Sequence, residues 1–134
     1  MGTDEVQFCS IISSKSTAQL RAIAQAYHSR YQRSLEECIR KEFSGHMENA
    51  LLYMVRRAVD PAKHDADLIE AAMAGMGTKD VALVRRIVAV HWNRDRLQQC
   101  KAAYRHFYKR ELAQRIASDT SGDYERLMVA CVSP

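Results

Sequence analysis

Two stretches of this chain repeat one another. Met1-Gly2-Thr3 returns as Met76-Gly77-Thr78 at an offset of 75, together with Val6 on Val81 and Ile12 on Ile87. Farther along the offset becomes 77: Leu20 falls on Leu97, Ala26 on Ala103, Tyr27 on Tyr104, Tyr31 on Tyr108, Leu35 on Leu112, Ile39 on Ile116, Gly45 on Gly122 and Glu48 on Glu125. Two residues are therefore inserted near His91 to Asp95. Such a repeat restricts the chain to two copies of one supersecondary unit, with a glycine turn and a Ser-Gly corner at corresponding ends of each. The expected division is 1–60 and 61–134.

Within each copy the apolar residues recur at helical spacing. Val6, Phe8, Cys9, Ile11 and Ile12 give a first helix over Asp4 to Ser14, with two acids in its first turn where they suit the helix dipole. Ser16 with Gln19, and Ser34 with Glu37, are capping-box patterns that open a second helix (Leu20, Ile23, Ala24, Tyr27, Tyr31) and a third (Leu35, Cys38, Ile39, Phe43). A fourth runs from about His46 to Ala58. Pro61 is tolerated only near a helix start, so the chain restarts there, with Leu68, Ile69, Ala72 and Met73 on the next helix. After the glycine turn come Val81, Val84, Ile87, Val88 and Val90, then Leu97, Cys100, Tyr104, Phe107 and Tyr108. Helix formers dominate, only two prolines and five glycines interrupt them, and no period-two alternation is sustained. The fold class is all-α.

Composition narrows the function. No apolar run approaches the ~18 residues of a membrane span, and the start lacks a secretory pattern, so a cytoplasmic protein is expected. Val6 stands where a myristoylation signal at Gly2 would need Ser or Thr. Cys9, Cys38, Cys100 and Cys131 form no CxxC pair and sit in or beside apolar helical patterns, which predicts four buried thiols rather than disulfides or zinc. The five histidines show no metal-ligand spacing, and Trp92 ends an apolar helix as a core or rim residue. A net charge of +4 gives mild attraction to anionic surfaces. Tyr104 to Arg110 mixes bases with aromatics as single-strand binders do, but its aromatics keep helical core spacing, and no nucleic acid is expected. No nucleophile-and-base set, P-loop or cofactor fingerprint can be assembled, so no enzyme is expected.

The turn Met73-Ala74-Gly75-Met76-Gly77-Thr78 carries the chemistry. Two glycines two apart allow positive φ values that let successive carbonyl oxygens converge, and a hard cation finds ligands there. Carbonyls of Met73, Gly75 and Gly77 with a distant bidentate carboxylate would give Ca²⁺ five of the 6–8 oxygens it takes. An outside anion such as a lipid phosphate would complete the shell. On these residues alone a plain glycine helix cap stands beside that reading.

Taken together, Pro61, Asp65-Ala66, Leu68, Ala72-Met73, Gly75-Met76-Gly77-Thr78 and Asp119-Thr120-Ser121-Gly122-Asp123-Tyr124 resemble the annexin family over essentially the whole chain. The resemblance implies five helices per repeat and a G-x-G-T loop between the first two. It further implies an acid three positions before the Gly of the fourth-to-fifth helix corner, which completes a calcium site. Asp119 stands three before Gly122, and Glu42 three before Gly45. The complete site implied is Met73, Gly75, Gly77 and Asp119. In the first unit Gly2 and Glu42 survive of a truncated site. Secondary calcium positions would use Thr78 with Asp80 and Thr3 with Glu5, although an acid in a first helical turn also serves the dipole alone.

The resemblance thus implies nine helices, the first repeat lacking its first helix, and the C-terminal half of an annexin core. Its function would be calcium-dependent binding to anionic phospholipid membranes through loops on one convex face, with Met1 and Met76 either at the lipid interface or packed inward. Loss of that first helix would leave apolar surface open to self-association. The alternative is a helical protein-interaction scaffold with little lipid binding.

Overall fold

The computed structural model describes residues 3–133, the side chain of Thr3 excepted. Among the described residues there are nine helices and no strand: α1 (Thr3–Ser14), α2 (Thr17–Tyr31), α3 (Leu35–Glu42), α4 (Gly45–Val59), α5 (Pro61–Met73), α6 (Asp80–His91), α7 (Arg94–Tyr108), α8 (Leu112–Asp119) and α9 (Gly122–Val132). The chain divides into two compact units at Pro61 and Ala62.

Local chemistry sets the boundaries. Ser16 forms the full capping box, its Oγ accepting from the Gln19 N–H at 3.2 Å while Gln19 Oε1 accepts from the Ser16 N–H at 2.9 Å. Ser34 Oγ accepts from the Glu37 N–H at 3.1 Å. Asn93, which the sequence patterns overlook, caps α7 by accepting from the Arg96 N–H at 3.1 Å. Helices α2 and α7 each end on a left-handed residue, Gln32 at φ 59° and Lys109 at φ 61°. These two positions match under the repeat. Pro61 is the first residue of α5, where its missing N–H costs nothing.

In the first unit Ile12, Leu20, Leu35, Ile39, Leu51, Leu52, Val55 and Ala58 form the core. The second unit has the larger core, in which α5 contributes Ala66, Ile69, Ala72 and Met73 against Leu83, Ile87, Leu97, Cys100, Tyr104, Leu112 and Ile116. Polar clamps fasten α5 to α7. Arg96 grips Asp65 with two 2.8 Å hydrogen bonds, Tyr104 donates to Glu70 and Tyr108 donates to Asp67. At the places matching Tyr104 and Tyr108 the first unit has Tyr27, half-buried, and Tyr31, 53% exposed.

Ile12 and Ile87 are both buried, as are Leu20 and Leu97, so the change of offset falls between them. α6 absorbs it at its end, running on through Val90 and His91. Val90 is buried, and His91 Nδ1 lies 2.9 Å from the Cys131 carbonyl oxygen on α9.

Three expectations need correction. On α6 the inward residues are Leu83, Ile87 and Val90, whereas Val81, Val84 and Val88 lie on the exposed side. Trp92 is neither core nor rim but 80% exposed, because α6 ends before it and its ring stacks only edge-on against His91. Of the cysteines only Cys100 is buried; Cys9, Cys38 and Cys131 are half-buried free thiols. Burial pushes the Cys100 thiol up to about 12, with Asp65 adding to the shift.

Candidate metal site in the second unit

The loop after α5 begins where the last helical bond, Ala74 N–H to the Glu70 carbonyl at 2.8 Å, closes the helix. The Lys79 N–H then returns to the Ala72 carbonyl at 2.8 Å, drawing residues 73–78 into a compact hook. Gly75 and Gly77 stand at φ 82° and 75°, conformations that residues with a Cβ adopt only at a cost. Among the described residues no hydrogen bond ends on the carbonyl of Gly75 or Gly77. Met76, between them, is 103% exposed, so the tip points into solvent rather than inward.

Asp119 is the last residue of α8 and lies against this hook. The Thr78 hydroxyl donates to its carboxylate and lies 3.1 Å from its backbone oxygen. One helical turn earlier, Arg115 reaches three acceptors at once: Asp119 Oδ1 at 2.9 Å, the Met73 carbonyl at 3.0 Å and Glu70 Oε1 at 3.3 Å. The Thr78 bond first, and the Arg115 guanidinium after it, hold the Asp119 carboxyl below the usual carboxylate range against the opposing effect of burial. Hydrogen bonds to a charged form favour that form. The acid therefore stays ionised and aimed at the loop at any physiological pH.

Of the residues singled out in the sequence, Met73, Gly75, Gly77, Thr78 and Asp119 come together here. Arg115 and Glu70 were not anticipated. The i, i+4 spacing of Arg115 and Asp119 was the one legible signal for them. Asp80, exposed, is engaged differently: it accepts from the Tyr124 hydroxyl at 3.0 Å. Burial first and that bond second push Tyr124 up to about 12. In the first unit Glu42 is the exposed last residue of α3 and Glu5 is half-buried on α1. Gly2, Met1 and the Thr3 side chain lie outside the described residues. At the place matching Arg115 the first unit carries Cys38.

The donors at the second-unit loop are all oxygens, carbonyl and carboxylate, which suits a hard cation such as Ca²⁺ and not zinc or copper. Among the described residues no three His, Cys, Asp or Glu side chains gather as a metal cluster. A site built mainly from backbone carbonyls does not require one.

Short helices in two homologous units, the second with a glycine loop set against an acid at a helix end, define a class of helical repeat protein. The annexin family model matches residues 1–54 and 64–131. Annexin C1 of Cryptococcus neoformans is 42% identical over 135 residues, covering 98% of this chain and 29% of that protein. Annexin A13 of mouse is 41% identical, covering 96% of this chain and 40% of that protein. Among solved structures, calcium-bound annexin (Sm)1 superposes with a TM-score of 0.82 at 32% identity, over 92% of this chain and 35% of that one. The chain belongs to the annexin family. It spans between about three-tenths and two-fifths of the length of these relatives.

Proposed function

We propose that this chain binds Ca²⁺ through its second unit and, through that ion, the phosphate groups of anionic phospholipid membranes. The observation that carries the reading is the apposition of Asp119 to the double-glycine hook, fixed by the Thr78 hydroxyl. The carbonyls of Met73, Gly75 and Gly77 and the Asp119 carboxylate would hold the ion. Bound there, Ca²⁺ would supply the positive charge that a lipid phosphate needs, since one carboxylate leaves the ion only partly neutralised. The exposed Met76 tip supports the reading, because an apolar side chain at that place gains from entering the headgroup region.

The chain acts here as a binding protein, not an enzyme, cytoplasmic until raised calcium brings it to the membrane periphery. Thr78 with Asp80 and Thr3 with Glu5 are weaker secondary positions, and Gly2 with Glu42 is what remains of a truncated site. The Tyr124 bond to Asp80 must yield before that carboxylate could serve. Relatives at this level of identity include a structure described as calcium-bound, which supports Ca²⁺ as the ligand.

The test is co-sedimentation with phosphatidylserine vesicles, in calcium and in chelator, beside Asp119→Ala. Pelleting that needs calcium and is lost in the variant is the expected result. A folded protein that fails to pellet in either condition would favour the scaffold reading, and pelleting indifferent to chelator would point to its basic surfaces.

A further inference from the structure

The Arg115 guanidinium occupies two of the oxygen positions that the proposed calcium site draws on, the Asp119 carboxylate at 2.9 Å and the Met73 carbonyl at 3.0 Å. It is also paired with Glu70 at 3.3 Å, and all three side chains are largely shielded, at 16%, 18% and 19% exposure for Arg115, Glu70 and Asp119. We propose that Arg115 is a resident counter-cation: it holds the calcium-free loop in shape, and Ca²⁺ binds by exchange against it, so that the balance of Arg115 and Glu70 sets the affinity of the site. This inference rests on the calcium reading above and deepens it.

Charge governs the exchange. Asp119 and Glu70 contribute two negative charges and Arg115 one positive, leaving a net single negative charge beside the loop. An incoming divalent ion meets a fixed positive group hydrogen-bonded to its own ligands, and like charges at such separations repel strongly when shielded from water. Asp119 must turn an oxygen away from the guanidinium, and the Met73 carbonyl must share its lone pairs. Arg115 does not leave empty-handed, because Glu70, held in place by the Tyr104 hydroxyl, stays as its partner. Glu70 is therefore the group that allows the exchange. In the first unit Cys38 stands in the place of Arg115 and carries no such charge, so the device belongs to the second unit alone.

Charge count is the main means by which oxygen sites tune calcium affinity, and it gives opposite signs for the two partners. Arg115→Gln raises the net negative charge and is expected to tighten Ca²⁺ binding about tenfold, while Glu70→Gln lowers it and weakens binding about tenfold. A purely structural role for the cluster would instead weaken binding in both variants. Isothermal titration with calcium chloride, without lipid, reads the affinities. Thermal unfolding gives a second reading: in chelator Arg115→Gln melts below the unaltered chain, and saturating calcium raises its melting temperature by more than it raises that of the unaltered chain.

Asp119→Ala distinguishes the two ideas. Calcium binding by the unaltered chain that Asp119→Ala abolishes, with Arg115→Gln binding no tighter, overturns the counter-cation role and leaves the site. Absence of binding in the unaltered chain with binding gained in Arg115→Gln upholds the counter-cation role in a stronger form. Absence of binding in both overturns both.

Discussion

Thr78 and Asp119 are 41 residues apart, and the hydroxyl of one donates to the carboxylate of the other. The bond joins the start of the hook's exit to the end of α8, and it is the largest influence holding Asp119 ionised. Thr78→Val keeps the shape of the side chain and removes the donor. It should lower stability by about 1 kcal/mol and weaken calcium binding several-fold, both measurable by urea unfolding and calcium titration. Unchanged affinity would show that Asp119 needs no help from the loop.

The two glycines of the hook are required by backbone conformation, not by crowding. An added Cβ at Gly75 would meet nothing within 4 Å, yet φ stands at 82°. Gly75→Ala should therefore cost about 1–2 kcal/mol from the left-handed backbone alone, with Gly75→Asn milder because Asn tolerates positive φ better. Equal losses in urea unfolding for the two variants would count against this account.

Cys100 makes the second unit sensitive to base. Its thiol titrates at about 12 in the folded chain against an ordinary 9.0. Between those values the unfolded chain has lost the proton and the folded chain has kept it, so stability falls as pH rises through that window and is fully present below it. The slope approaches about 1.4 kcal/mol per pH unit from this group. Cys100→Ala should flatten the fall between pH 9.0 and 11 in denaturant melts, although the tyrosines whose hydroxyls are bound to Glu70 and Asp67 add their own loss above the ordinary tyrosine range.

The Asp65–Arg96 pair fixes α5 to α7. Asp65 is 4% exposed and both its oxygens are held. Arg96→Ala would leave a buried carboxylate short of its counter-charge, at a cost of about 3 kcal/mol. Arg96→Lys should recover only part of this, since an ammonium cannot make the two parallel bonds. Calorimetric melting of the two variants decides the order.

The first unit presents Val6 at 55% and Tyr31 at 53% exposure, with Tyr27 half-buried beside it. Self-association of the 134-residue chain is the expected outcome, because exposed apolar and aromatic surface, such as the Tyr27–Tyr31 ring pair, favours association. Light scattering after size-exclusion chromatography should show a mass that rises with concentration and falls in Tyr31→Lys. A concentration-independent monomer would remove the idea.

Helix positions and the Ser16 and Ser34 caps were legible in the sequence because each rests on neighbours a few residues apart, and the repeat because matching residues recur at a fixed offset. The sidedness of α6 was not. Val81, Val84 and Val88 are themselves three and four apart, so they mimic a buried stripe, and only the packing of Leu83, Ile87 and Val90 against the rest of the unit chooses between the faces. Asp119 could be paired with the glycine hook only through family resemblance, since nothing local ties residues so distant. Arg115 and Glu70 escaped for the same reason: their meeting depends on how α8 crosses the end of α5, and 45 residues separate them.

The two additional residues of the second unit sit at the end of α6, as Val90 and His91. Each helical residue turns the chain by about 100°, so the same two residues placed within the helix would have swung everything after them by about 200° and carried half of its core positions to the outside. At the helix end they do no such thing. Ile87 before them and Leu97 after them both stay inside, and the added half-turn is absorbed as a longer reach toward α9. Repeats of this kind can thus change length by a non-integral turn while keeping their interiors in phase, provided the change falls where a helix is about to stop.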